Sequence, residues 1–334
     1  MRALALLALV ACGNGTPAAP GKTEPPPAAA DATRVSTVTF HSDALGVDKQ
    51  FVLYLPAGYA STTKRYPVFY YLHGLGGDET NWVKGGHLDE AADKLALAAI
   101  VVMPDGDDSF YIDSPLSADY DACMRDGTGL FIPKRQPHDK TCVRANRYET
   151  YIVGDLVGYV DAHYRTIASR DGRAIAGLSM GGFGALQLAM RHPDAFAAAA
   201  SHSGVDALLY HGPHPYAAGK VELLTDVAKW GVEAGDIGAW IRNRFGSDLA
   251  FWQARDPAAL VDKLEPGKLA LYLDCGTEDD FLLHDGMQYL HDRLLAKKVD
   301  HAYYLGAGRH DFGFWSARLP NSLAFLRDHT KPPL

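Results

Sequence analysis

One stretch leaves this chain few ways to fold. Arg173–Leu178 is a short apolar run, Ser179 follows it between Gly177 and Gly181, and residues 180–190 are rich in Ala, Leu and Met up to a stop at His192-Pro193. Strand, sharp turn and helix in immediate succession describe one unit of a parallel α/β sheet. In Gly-Leu-Ser-Met-Gly the serine stands on the turn, and the flanking glycines have no Cβ to collide across it. A hydroxyl is a weak nucleophile, so a serine held clear of the backbone needs a general base on one side and amide donors on the other. Ser179 is therefore the candidate nucleophile.

The rest of the chain alternates in the same way. Residues 35–41 and 50–55 read as an early hairpin, and residues 66–72 and 98–103 are near-continuous apolar runs, as parallel strands covered on both faces require. Residues 88–97 and 148–164 have helical spacing. Later come strands at 196–201, 268–274 and 301–305, a helix at 282–297 and a last helix from Ala317. The pattern predicts an α/β fold: a mostly parallel central sheet with helices on both faces. Two long segments fall outside it, 106–147 and 206–266. The second carries Trp230, Trp240 and Trp252 at loose helical spacing and is expected to form a helical cap.

With 334 residues, 47% of them apolar, the chain can bury a substantial core, and it shows no internal repeat. The net charge of −8 lacks the clustered Lys and Arg that phosphate neutralisation needs, so no nucleic-acid partner is expected. Met1-Arg2 precedes an apolar run, residues 3–11, too short to span a bilayer and typical of an export signal. It ends in Leu9-Val10-Ala11-Cys12, which resembles a bacterial lipobox, with Cys12 as the lipidated residue; the alternatives are a plain signal peptide or a start codon assigned too late, with more sequence upstream. The expected organisation is residues 1–12 as signal and lipobox, 13–33 as a Pro/Ala-rich tether, and 34–330 as the folded domain. The chain is then exported, as a periplasmic or cell-surface lipoprotein on a membrane or as a secreted protein. Cys123 and Cys142 share one polar stretch and are expected to form a disulfide in an oxidising compartment. Cys275, after an apolar run, reads as a buried free thiol.

A serine nucleophile of this fold takes its partners in the order serine, acid, histidine. Residues 271–280 end a strand in a turn with several carboxylates. Asp279 is the candidate acid, Asp280 its neighbouring competitor, and Asp274 a structural residue at the strand end. Of 14 histidines, His310 alone combines the right order with a glycine-rich loop, so it is the candidate base. His73 reads as a loop-packing residue and His202 as one that lines the site. The N–H groups of Leu75, in Leu72-His73-Gly74-Leu75-Gly76-Gly77, and of Met180 are the candidate oxyanion donors. This chemistry calls for no cofactor, and His211 and His214 read as an ordinary polar loop rather than a metal site.

These blocks, with Cys275-Gly276-Thr277-Glu278-Asp279 and Gly308-Arg309-His310-Asp311-Phe312-Gly313-Phe314-Trp315, resemble an esterase family of α/β-hydrolases. That family includes esterase D-like S-formylglutathione hydrolases, feruloyl and acetylxylan esterases, and mycolyltransferases. The resemblance runs from about residue 35 to 328. It implies the α/β-hydrolase fold, a triad on Ser179, Asp279 and His310, and oxyanion donors on Leu75 and Met180. Through residues 105–114 it implies a substrate contact at Tyr111. The segment 123–142 departs from the family pattern. The implied activity is carboxylic ester hydrolysis on carbohydrate-linked or small acyl esters. The alternatives are acyl transfer with the same triad, an S-formylglutathione hydrolase-like thioesterase, and a non-catalytic binding module.

Overall fold

The computed structural model describes residues 34–131 and 137–334. The expected lipidation site Cys12 and the expected tether lie outside the described residues. Eight strands form one sheet. The hairpin β1 (Val35–Ser42) and β2 (Val47–Tyr54) is antiparallel and joins β4 (Ile100–Pro104) antiparallel. From there β3 (Val68–Leu72), β5 (Arg173–Leu178), β6 (Ala198–His202), β9 (Ala270–Gly276) and β10 (His301–Gly306) continue in parallel, giving the order β1-β2-β4-β3-β5-β6-β9-β10. Two short strands, β7 (Tyr210–Gly212) and β8 (Glu222–Leu223), pair separately.

The parallel strands are apolar throughout because each face meets its own core. Along β3, Val68, Tyr70 and Leu72 enter one core while Phe69 and Tyr71 enter the other. The first core packs the elbow helix Met180–Arg191 and the helix Leu283–Lys297; the second packs Leu88–Lys94 and Phe312–Asp328. Tyr148–Thr150, a π-helical stretch Tyr151–Leu156 and Val157–His163 run on as one helix, as the apolar spacing predicts. The last helix begins at Phe312, five residues before the position read from the sequence. Asp311 caps it by accepting the Phe314 N–H at 3.1 Å, and glycine in the first turn had hidden that start.

The described residues of both long segments are built into the body. Cys123 and Cys142 form a disulfide that closes the first, with their Cα atoms 5.7 Å apart, and Cys275 is a buried free thiol. Lys49 anchors the start of the same segment. Its Nζ donates to Asp105 Oδ2 and Asp107 Oδ2, each at 2.8 Å, and to the Lys140 carbonyl at 3.0 Å, with the side chain wholly buried. Burial alone would lower the Lys49 pKa, but the two carboxylates outweigh it and hold the amine above its ordinary value. The second segment forms helices Gly235–Phe245, Leu249–Gln253 and Pro257–Leu260. Trp252 is fully buried against Trp230, ring centroids 5.6 Å apart, so this cap is packed down rather than floating over the sheet.

Candidate active site

Ser179 stands at the end of β5 with φ 53° and ψ −117°, a left-handed conformation that a non-glycine residue adopts only when its surroundings impose it. The sequence around it imposes this by close approach. A Cβ on Gly177 would lie 2.3 Å from the Gly181 backbone, and one on Gly181 would lie 2.4 Å from the Leu72 carbonyl oxygen. Only glycine lets β3, β5 and the elbow helix meet there.

The serine has the expected neighbours. His310, on the loop after β10, places Nε2 2.9 Å from Ser179 Oγ and Nδ1 2.6 Å from Asp279 Oδ2, on the turn after β9. A carboxylate only accepts, so Nδ1 carries the proton and Nε2 is left to accept from the serine hydroxyl. Asp279 is 2% exposed. Its Oδ1 accepts the N–H groups of Phe281 and Leu283 at 3.0 and 3.3 Å, and the Cys275 thiol donates to Oδ2 at 3.6 Å. Burial pushes that thiol far up, which keeps it a neutral donor. Phe281 and Trp315 meet the His310 ring edge-on at 4.9 and 5.0 Å and hold its plane. Asp280, the sequence competitor, turns to the surface and pairs with Arg309, which holds its carboxyl below the ordinary value. Asp274 is buried at the strand end, held by His202, Tyr272 and Arg318.

Leu75 and Met180 both border the pocket above Ser179. Among the described residues neither N–H has an acceptor, and that of Met180, first in its helix, has none by geometry. The pocket is about 500 Å³ and mostly apolar, with Phe110, Leu208, Trp230, Ile237, Ile241 and Phe281 on its walls. Part of the second long segment thus covers the serine.

Two expected contacts are corrected. Tyr111 is fully buried, its hydroxyl donating to the His73 carbonyl at 3.0 Å. Phe110 and Tyr111 are both left-handed, φ 55° and 54°, and it is Phe110 that borders the pocket. His202 is also fully buried, bonded to Asp274 and to Ser322 Oγ at 2.8 Å each, on the face covered by Phe312–Asp328. Strand alternation carries it away from the pocket, into the second core. His73 packs as expected, with Nδ1 donating to the Gly74 carbonyl and Nε2 accepting the Gly106 N–H.

Sequence reasoning missed Asp206, which follows β6 with no motif to mark it. It borders the pocket at 1% exposure; Oδ1 accepts from Ser201 Oγ at 2.6 Å and Oδ2 has no partner among the described residues. Burial pushes its carboxyl up to about 7. An unfolded aspartate ionises near pH 4. Between about pH 4 and 7 the unfolded chain therefore releases a proton that the folded chain keeps, and stability falls as pH rises through that window. Asp206→Asn removes this term, so the variant is expected to melt above the unmutated chain near pH 8 and level with it near pH 4. Equal melting temperatures near pH 8 would refute a carboxyl buried in its neutral form.

The family model described as Putative esterase matches residues 42–326. The chain belongs to the esterase family. Among its relatives, Esterase Rv1288 of Mycobacterium tuberculosis is 34% identical over 167 residues, covering 49% of this chain and 31% of that protein. The Endo-1,4-beta-xylanase/feruloyl esterase of Xylanibacter ruminicola is 30% identical over 171 residues, covering 48% of this chain and 20% of that protein. The chain thus spans under a third of the length of these relatives. A solved ferulic acid esterase superposes with a TM-score of 0.64 at 23% identity, over 88% of this chain and 97% of that one. That likeness gives the α/β-hydrolase fold to this member of the esterase family.

Proposed function

We propose that the chain is a serine ester hydrolase that works through an acyl-enzyme on Ser179. One observation carries the reading: Ser179, His310 and Asp279 form a single hydrogen-bonded chain on the floor of an apolar pocket. Ser179 Oγ adds to the ester carbonyl while His310 Nε2 takes its proton, and Asp279 steadies the imidazolium. The oxyanion forms beside the Leu75 and Met180 N–H groups, donors aimed before the charge develops. Collapse breaks the bond to the alcohol, which leaves with the His310 proton. Water, deprotonated by the same imidazole, then adds to the acyl-enzyme and releases the acid.

The substrate class we propose is carbohydrate-linked or small acyl esters. The pocket volume and its aromatic walls suit an apolar or aromatic acyl group, and a relative bearing the name feruloyl esterase adds support. The test is hydrolysis of p-nitrophenyl acyl esters, methyl ferulate, acetylated xylan and S-formylglutathione, with Ser179→Ala as control. Serine-dependent turnover of p-nitrophenyl acetate or methyl ferulate is expected; silence across the panel would overturn the reading.

We also propose that the protein is exported and lipid-anchored at Cys12. The Cys123–Cys142 bridge supports an oxidising compartment. The full-length chain in a bacterial host is expected in the membrane fraction, and Cys12→Ser in the soluble fraction. An unchanged distribution would refute the anchor.

A further inference from the structure

Around the Ser179 pocket the buried carboxyls are matched with basic side chains, and Asp206 is the exception. Asp279 is bonded to His310, Asp285 to His214, and Asp274 to His202 and Arg318. Asp206 has no such partner among the described residues: Oδ1 accepts from Ser201 Oγ, and Oδ2 is shut from solvent with nothing bonded to it. The residue borders the pocket, close to the chemistry. A Cβ on Gly182, in the first turn of the elbow helix, would lie 2.6 Å from the same Ser201 Oγ, and one on Gly204 would lie 2.3 Å from Asp206 Oδ1 and 3.1 Å from the Gly182 carbonyl carbon. The carboxyl therefore sits beside the helix turn whose Met180 N–H is a candidate oxyanion donor.

The surroundings decide which ligand completes Asp206. No Lys or Arg among the described residues borders the pocket; Arg309 is taken by Asp280 and Arg318 by Asp274. The other titratable groups on the wall are Tyr210, His211, His214, His310 and the exposed Glu233. Carboxyls without a fixed cation, in a mostly apolar space, disfavour an anion and favour a positive charge. The ring faces of Phe110, Tyr210, Trp230, Phe281 and Trp315 favour it too. A primary ammonium brings both the charge and the N–H donors that Oδ2 lacks. We infer that the pocket accepts esters of apolar α-amino acids, the ammonium pairing with Asp206 Oδ2 and the side chain packing on the aromatic walls, an inference that rests on the hydrolase reading above. The α position follows from the place of Asp206 beside the turn that receives the carbonyl. On binding, the carboxyl releases its proton to solvent and pairs as a carboxylate.

The experiment uses a matched pair, L-phenylalanine methyl ester and methyl 3-phenylpropanoate, which differ only in the ammonium. Dissociation constants are measured by calorimetry on the full chain carrying Ser179→Ala, near pH 6.5, where the ammonium keeps its proton. The amino ester is expected to bind about ten-fold or more tightly than its neutral twin, as one charged hydrogen bond gives. Adding Asp206→Asn, which keeps the shape of the side chain, is expected to bring the two constants together. In turnover the two esters differ in intrinsic reactivity, so the quantity read is the ratio of their kcat/KM values, expected to fall by about ten-fold on Asp206→Asn in the chain that retains Ser179. Equal dissociation constants before Asp206 is replaced, or a preference that survives its replacement, overturn the ammonium site and leave the hydrolase intact. If p-nitrophenyl acetate and both methyl esters go unhydrolysed, the hydrolase reading fails, while a binding preference abolished by Asp206→Asn still upholds the pairing with Asp206.

Discussion

Ser179→Ala is expected to lower kcat for p-nitrophenyl acetate by about 10⁴-fold or more and to leave the melting temperature within a few degrees of the unmutated chain. The two halves have separate causes. The activity is expected to be lost because Ser179 Oγ is the oxygen that stands 2.9 Å from His310 Nε2, and without it the proposed pathway through a covalent intermediate closes. What survives is the catalysis that oxyanion donors and binding supply without a nucleophile. The fold is kept because the elbow is held by close backbone approach at Gly177 and Gly181 and by the Ser179 N–H to the His202 carbonyl at 2.9 Å, none of which involves Oγ. Stopped assays with purified protein and a thermal melt check both. Activity within about ten-fold of the unmutated chain would remove Ser179 from the chemistry.

The largest loss of stability is expected from Lys49→Met. The substitution keeps most of the volume but leaves Asp105 and Asp107 facing each other in the interior without their cation. Removing one partner from a buried ionic cluster typically costs about 3–5 kcal/mol. Burial and the charge of Asp105 already hold Asp107 above the ordinary carboxylate range, so part of that loss is relieved when Asp107 takes up a proton. The deficit is therefore expected to be larger near pH 8 than near pH 5. Urea unfolding at the two pH values measures it. A loss under about 1 kcal/mol at both would mean that the cluster is open to water. The same variant is expected to weaken catalysis, because the Asp105–Asp108 turn supports Gly76 through Asp108.

The sheet and the Ser179, Asp279 and His310 positions were legible because each follows from local rules. Strand periodicity, the glycine spacing around Ser179 and the order of acid and histidine need no knowledge of distant contacts. Asp279 and Asp280 differ only in which way one turn directs them, and the decision lies in the Phe281 and Leu283 N–H groups and in Arg309. Tyr111 and His202 show where the reading stopped. A run of two left-handed residues at 110–111 and the alternation of one strand decide which side chain meets the pocket. Neither leaves a mark in residue type. Asp206 was invisible for the same reason, since its meaning comes wholly from burial.

Ser179, Asp279 and His310 are attached where β5, β9 and β10 end, while much of the pocket wall comes from the segments 106–147 and 206–266 that interrupt the strand–helix alternation. Inheritance can therefore act on the two parts separately. Insertions, deletions and a cystine staple in those segments can retune which ester is accepted, generation by generation, without disturbing a bond in the hydrogen-bonded chain beneath. A laboratory graft of either segment onto a relative should carry its preference along.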